Sequence, residues 1–173
     1  MGPMSNNYEQ TVRRMAETNA DELISNSEPE HAATLYKVFF ENARQSVMLL
    51  CKDFDERVFS RKDVLSAFKD AVRRGVKFDV IVQQQSDNEF KGTFNNESTK
   101  RPKQLQLIEA YQHTSEGANK VATAPNNFCV VDGKGFRWEE NRAECIATAS
   151  MNRPALASQL TRLFKSCREM VLA

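Results

Sequence analysis

The sequence lacks any long apolar run. A membrane-spanning helix needs about 20 consecutive apolar residues, and no segment of this chain approaches that length. An excess of charge of one sign is also missing, since 24 Lys and Arg stand against 23 Asp and Glu. With a net charge of +1, no overall field attracts nucleic acid or a membrane, so we expect no membrane partner and only local basic surfaces.

Cysteine pairs and histidines are scarce too. The four cysteines form no CxxC pair, and three of them lie in apolar segments. This pattern favours reduced core residues in a cytoplasmic protein over the alternative of two disulfides. The chain has only two histidines, His31 and His113, far apart in sequence. We therefore expect no metal site and no cofactor.

The length and the composition predict one main domain. A chain of 173 residues, 40% of them hydrophobic, can bury a sizeable core without disulfides or metals. Residues 1–3 are typical of a cloning remnant. Residues 1–28 are predicted to form an N-terminal helical arm, whose weak apolar stripe suits a protein partner, and residues 29–173 the α/β domain.

The apolar patterns predict alternating helices and strands, followed by a group of strands. Residues 86–102 show no periodicity and are predicted to be a long loop. The predicted helices are 7–25, 29–44, 60–74, 103–112 and one from residue 154 onward; the predicted strands are 46–51, 76–82, 121–124, 128–131, 136–139 and 143–149.

This order indicates an α/β fold with a mixed, mostly parallel sheet and helices on both faces. The early strand–helix–strand units imply parallel neighbours, and the later strands add antiparallel ones. In such sheets, ligands bind at the carboxyl ends of the strands. Here that edge would include Lys52, Asp53, residues 83–85 and the turns near Asp132 and Ser150.

The segment Asn126 to Glu139 (NNFCVVDGKGFRWE) resembles the central strand and turn of the phospholipase D superfamily, which carries the pattern H-x-K-x-x-x-x-D. Aligning the two on Asp132 places Pro125 at the histidine and Asn127 at the lysine. Residues 149–152 (ASMN) resemble the family's G-S-x-N. The resemblance covers roughly residues 30–169 and implies a single phospholipase D-like repeat with an extra N-terminal helix.

The resemblance also implies what the substitutions remove. In that family, a histidine attacks the phosphodiester, a second histidine protonates the leaving oxygen, and lysine and asparagine hold the phosphoryl oxygens. Proline cannot attack, and Asn127 is neutral. We therefore expect no catalytic residue in this chain, although a family member with one motif copy can still form a homodimer.

Two groups of residues are candidate binding sites. Asn127, Asp132, Ser150 and Asn152 form a degenerate motif that either retains a phosphate-sized anion or consists of ordinary strand-end and turn residues. The predicted loop holds aromatic and basic residues, which suits the stacking and phosphate contacts of single-stranded nucleic acid, or else a solvated loop. These possible nucleic-acid contacts are Phe90, Lys91, Phe94, Lys100, Arg101 and Lys103.

The sequence thus predicts a bacterial cytoplasmic protein with a catalytically inactive phospholipase D-like domain that acts as a binding or assembly module. Its expected partners are a second copy of the chain, a protein held by the first helix, and nucleic acid or a phosphate group. Two alternatives stay open at this stage. One is a divergent phosphodiesterase or nuclease that is active only with a partner chain, and the other is a structural subunit of a larger complex.

Overall fold

The computed structural model describes residues 3–173, so most of the predicted cloning remnant, residues 1–3, lies outside the described residues. The helices and strands alternate through the first two thirds of the chain. In chain order they are α1 (Pro3–Thr18), β1 (Ile24–Asn26), α2 (Pro29–Asn42), β2 (Ser46–Cys51), α3 (Glu56–Phe59), α4 (Lys62–Arg73), β3 (Lys77–Val82), α5 (Glu89–Lys100), β4 (Leu105–Glu109), a 3-10 turn (Ala110–Gln112), α6 (Glu116–Ala122), β5 (Asn127–Val131), β6 (Gly135–Asn141), β7 (Ile146–Ser150) and α7 (Pro154–Leu172).

The seven strands form one mixed sheet in the order β1-β7-β6-β5-β2-β3-β4. The prediction of a mixed α/β sheet is confirmed, but the prediction that it is mostly parallel is wrong. Only β2, β3 and β4 run parallel to one another, and every other pairing is antiparallel. The late strands joined by short connections extend the sheet on one side, which is why antiparallel pairs dominate.

Helices cover both faces of the sheet, as predicted. On one face, α1 to α5 enclose a core rich in phenylalanine, in which Phe40, Phe68 and Phe78 pack edge to face. On the other face, α6 and α7 pack over Leu50 and Ile81. The strands β2 and β3 are therefore buried on both sides, which explains their nearly continuous apolar sequences.

The predicted loop at residues 86–102 is instead the helix α5. The Asn88 side chain caps it by accepting a hydrogen bond from the Lys91 backbone N–H (2.9 Å). Phe90 and Phe94, four residues apart, point from one face of the helix into the core. The helix therefore depends on two buried rings and a cap, and its Asn-, Ser- and Thr-rich remainder gave no periodic signal.

Two further predictions of element type are wrong. The predicted helix at residues 103–112 is the strand β4 and a short 3-10 turn, because this segment pairs in parallel with β3 and Leu105 and Leu107 alternate toward one core. The predicted strand at residues 121–124 is the end of helix α6 and the segment after it. Ser115 caps α6, and Gly117 lets it approach α7, since a Cβ there would lie 2.7 Å from the Met170 carbonyl oxygen.

The N-terminal segment is part of the same packed structure. Helix α1 ends at Thr18 rather than continuing to residue 25, because Asn19 adopts a left-handed φ of 54° and the chain turns into β1. The buried Val12 and Met15 belong to the core cluster that includes α2, and β1 pairs with β7. The predicted boundary at residue 28 falls after a strand of the main sheet and stays a prediction.

Asp132 joins the end of β5 to the start of β2. Its carboxylate accepts hydrogen bonds from the backbone N–H groups of Arg44, Gln45 and Ser46 at 2.8–3.2 Å. Its backbone has φ 54°, in the left-handed region that Asp and Asn tolerate better than most residues. The Asp-Gly turn is therefore a structural junction between two central strands.

Replacing Asp132 with alanine should lower the free energy of unfolding by about 2 kcal/mol, because three N–H groups lose a charged acceptor. Urea denaturation followed by circular dichroism measures the loss. Asp132→Asn is the matched control, since it keeps one acceptor oxygen and tolerates the left-handed backbone. Equal stability of the alanine variant and the wild-type protein would contradict this structural role.

Candidate ligand-binding cleft

A cleft of about 630 Å³ lies at the carboxyl ends of β2 and β3. Lys52 and Asp53, directly after β2, form one side, and Asp87 and Asn88, between β3 and α5, form another. The floor and the remaining wall come from the start of β5 and the end of β6. The carboxyl edge of the parallel strands is therefore the edge that carries the cleft, as the sheet topology predicts.

The floor of the cleft is a chain of hydrogen bonds centred on Asn127. Its side-chain carbonyl accepts from the Lys52 backbone N–H at 3.0 Å, and its side-chain NH2 donates to Glu139 at 2.8 Å. The second Glu139 oxygen binds the guanidinium of Arg137 at 2.9 Å. Both the oxygen and the NH2 group of the Asn127 side chain are thus already hydrogen-bonded to neighbouring groups.

The Arg137–Glu139 ion pair lies inside the protein. Arg137 is 1% exposed and Glu139 is 5% exposed. The Nε of Arg137 donates to Asn26 at 3.3 Å, and its guanidinium lies over the Tyr36 ring, 5.3 Å from the centroid. Ions this deeply buried persist only when they are paired and hydrogen-bonded, and here both conditions are met.

The charges lining the cleft do not favour an anion. Five carboxylates face it, while three cations do so: Asp53, Asp55, Glu56, Asp87 and Glu139 against Lys52, Arg57 and Arg142. Arg57 is already paired with Asp55 at 2.7 Å. Arg142 is held against the wall by donating to the Ala124 carbonyl at 2.8 Å. A phosphate entering this cleft would meet more negative than positive charge.

No histidine is among the described residues that line the cleft. Pro125 is exposed just before β5. His31 is on α2, paired with Glu28 at 3.0 Å and stacked on Tyr8 at 3.9 Å between ring centroids. His113 follows the 3-10 turn after β4. Neither histidine therefore contributes to the lining of the cleft.

The cysteines beneath the cleft do not replace the missing nucleophile. All four cysteines of the chain are free and buried, as predicted. Burial raises the pKa of Cys129 to about 12, and burial raises the pKa of Cys51 and Cys145 above their ordinary values too. The reactive form of cysteine is the thiolate, so these thiols are inert near neutral pH.

The predicted anion site does not form within one chain. Asn127 begins β5, whereas Asp132 follows its other end, about 17 Å away at the rise of an extended strand. Strand register places Ser150 opposite Phe136, and Asn127 opposite Glu139, so Ser150 lies near the far end as well. The Asn152 side chain donates to the Asn19 carbonyl at 3.2 Å. The prediction that these residues form one anion site at the carboxyl edge is wrong, because Asn127 lies at that edge whereas Asp132 and Ser150 lie at the opposite ends of their strands.

The predicted nucleic-acid loop also differs from expectation. Phe90 and Phe94 are buried and cannot stack on bases. Lys91 is buried as well and pairs with Glu109 at 3.4 Å, and Arg101 pairs with Glu97 at 2.6 Å. Of the six residues predicted to contact nucleic acid, Lys100 and Lys103 are left as exposed cations without a carboxylate partner among the described residues.

Solved structures with the same architecture identify the fold. Nuc from Salmonella typhimurium, a phospholipase D family member, superposes with a TM-score of 0.60 at 15% identity, over 86% of this chain and 95% of that one. NucT from Helicobacter pylori gives 0.55 at 13% identity, over 86% and 98%. The chain has a phospholipase D-like fold. The resemblance predicted from the sequence is thereby confirmed for the fold.

A third solved structure similar to this chain is that of TrmBL2, an archaeal chromatin protein described as showing a novel mode of DNA binding. It superposes with a TM-score of 0.62 at 14% identity, over 96% of this chain and 60% of that one. This chain therefore spans three fifths of TrmBL2. No protein-family model and no curated protein matches the sequence.

Arg137 and Glu139, the buried ion pair of the cleft floor, were not among the site residues predicted from the sequence. They stand two apart on β6, and residues two apart on a strand share a face. Opposite charges at that spacing were the available signal. The sequence does not show that Asn26, Tyr36 and Asn127 contact these two charged side chains and so compensate for their burial.

Replacing Glu139 with glutamine should lower the free energy of unfolding by about 3 kcal/mol, because the buried Arg137 loses its counter-ion while Asn127 keeps an acceptor oxygen. Chemical denaturation measures the change. Glu140→Gln removes the same charge from the exposed neighbouring residue and should change stability little. If the two variants were equally stable, the ion pair would not hold the cleft floor together.

Proposed function

We propose that this chain is a non-hydrolysing binding module with a phospholipase D-like fold. The observation that carries the proposal is the hydrogen-bonded floor of the cleft. Asn127, at the position of the family's lysine, is bonded to Lys52 and Glu139 rather than directed at a ligand. The site is built as a closed structural network.

The cleft lacks the side chains that phosphodiester cleavage needs for nucleophilic attack, for protonation of the leaving oxygen and for stabilisation of the transition state. The nucleophile position is Pro125, which has no side chain able to attack phosphorus. The described lining of the cleft offers no imidazole to protonate a leaving oxygen. The excess of carboxylates would raise the energy of the additional negative charge that develops in the transition state. These features support a binding role and not a hydrolytic one.

The proposal includes a cytoplasmic, bacterial setting and assembly with other chains. Four free, buried cysteines are compatible with a reducing compartment. In the described residues 3–173, no helix is long and apolar enough to cross a membrane. A homodimer would have exposed Leu156 and Leu163 on α7 available for contact. A protein partner of α1 would meet its polar side, because Val12 and Met15 are already buried.

Contact with nucleic acid is a second candidate. TrmBL2, with the same fold, is described as a DNA-binding chromatin protein. Because the charges lining the cleft disfavour phosphates, nucleic acid would have to bind this chain at another surface, one that carries unpaired cations. The alternative of a nuclease completed by a partner chain would require that partner to supply both the nucleophile and the positive charge.

Incubation of the purified protein with a chromogenic phosphodiester and with single-stranded and duplex DNA should give no turnover, with and without divalent metal. A phosphodiesterase of the same fold serves as the positive control. The double variant His31→Ala, His113→Ala should behave like the wild-type protein. Turnover by the wild-type chain that disappears in the double variant would mean that one of these histidines is a nucleophile. Turnover in both proteins would overturn the proposal equally.

A further inference from the structure

The edge of the sheet opposite the cleft carries one cation at each of four adjacent strands. Lys134 lies in the turn after β5, Arg44 precedes β2, Lys77 begins β3 and Lys103 precedes β4. All four residues are exposed. We call these four residues the basic edge.

Strand register places the four residues of the basic edge in a row. Lys77 pairs with Ser46, two residues after Arg44. The backbone N–H of Asp132, two residues before Lys134, donates to the Ser46 carbonyl, and Phe78 donates to the carbonyl of Gln104, next to Lys103. Neighbouring strands lie about 4.8 Å apart, so the row spans about 14 Å.

The acidic residues near the basic edge are already engaged. Glu41 pairs with Arg13, Asp70 with Arg73, and Glu97 with Arg101. The carboxylate of Asp132 accepts three backbone N–H groups. Within the described part of the chain, no carboxylate lies within 4.0 Å of the charged group of any basic-edge residue. The Lys134 ammonium donates to the Asn19 side-chain oxygen at 2.8 Å, and the Arg44 guanidinium donates to the backbone carbonyls of Glu41 and Ala43. These acceptors are neutral, so the charge of all four residues is left for an external anion.

Stabilisation of helix ends accounts for only one of the four residues, Arg44, whose guanidinium donates to the backbone carbonyls of Glu41 and Ala43 at the end of α2. Cations in the last turn of a helix offset its dipole, and that accounts for Arg73 and Lys100. Lys77, Lys103 and Lys134 lie on a strand, a loop and a turn, where no such dipole acts. Their common feature is their position along one edge of the sheet.

We propose that the basic edge binds the phosphodiester backbone of nucleic acid. Each strand of a duplex carries one phosphate per about 3.4 Å of helix axis, so a row of about 14 Å laid along the axis covers about four phosphates of one strand. The exposed large apolar side chains, Leu23, Leu156, Leu163 and Leu172, are outside the basic edge, so this edge offers no apolar anchor for a bilayer. Contacts to phosphate oxygens carry no information about the base sequence, so binding through them should be independent of sequence.

This inference rests on the proposed role as a binding module and locates its nucleic-acid contact on the side of the sheet away from the cleft. The charged residues of the chain are thus divided between two edges of the sheet. Carboxylates predominate at the carboxyl edge of β2 and β3, and unpaired cations line the opposite edge. A polyanion would be attracted to the basic edge and repelled by the carboxylates at the cleft.

The test is the affinity of the full chain for a short fluorescein-labelled DNA duplex of mixed sequence, measured by anisotropy from about 50 to about 200 mM salt. The variant Lys77→Gln, Lys103→Gln, Lys134→Gln should bind at least about tenfold more weakly at the lower salt concentration. Its plot of log affinity against log salt should be shallower by between about two and three units, since each lost phosphate contact removes about 0.9. A scrambled duplex should bind equally well.

The matched control removes the same charge elsewhere, through Lys62→Gln, Arg162→Gln and Lys165→Gln, three exposed cations outside the basic edge. It should keep the wild-type affinity and salt slope. Equal losses in both variants, or no binding by the wild-type protein, would overturn the proposal. So would a basic-edge variant that keeps its DNA affinity but no longer binds vesicles of phosphatidylserine and phosphatidylcholine. Urea midpoints of both variants should match the wild type, which shows that the fold is intact.

The outcome is independent of the hydrolysis assay. Turnover of a phosphodiester would overturn the non-hydrolysing role without bearing on the basic edge. Unaltered DNA affinity in the basic-edge variant would overturn this inference and leave the account of the cleft in place.

Discussion

The buried ion pair between Arg137 and Glu139 is the interaction on which the rest of the site depends. It connects β6 to β5 through Asn127 and to β1 through Asn26, while the guanidinium packs on Tyr36 of α2. Leaving either charge alone in the core would cost several kcal/mol, so each residue requires the other. The network that forms this floor therefore links three strands of the phospholipase D-like sheet to the helix α2.

The same constraint shapes the electrostatics of the molecule. Once Glu139 is committed to Arg137, the remaining carboxylates at the carboxyl edge of the parallel strands, including Asp53 and Asp87, outweigh the cations available there. The opposite edge has unpaired cations in a row. A net charge of +1 is therefore compatible with a polarised surface, because it excludes an overall field but not local regions of opposite charge.

How far the sequence predicts this molecule depends on whether the controlling contacts are local. The strands β2, β3 and β5 and the turn at Asp132 follow from apolar runs and turn residues, and all are present. Helix α5 was missed because two buried rings, Phe90 and Phe94, stabilise a segment of poor helical pattern. The cleft floor was missed because the partners of Arg137 come from segments up to 111 residues away in sequence.

A crystal structure of the protein grown with tungstate, a tetrahedral mimic of phosphate, tests the closed cleft floor most directly. We predict no tungstate at the start of β5, with the Asn127 amide still bonded to Glu139 and to the Lys52 backbone. Tungstate bound there, with Asn127 turned away from Glu139 to contact it, would contradict the claim that this network has replaced a phosphate site.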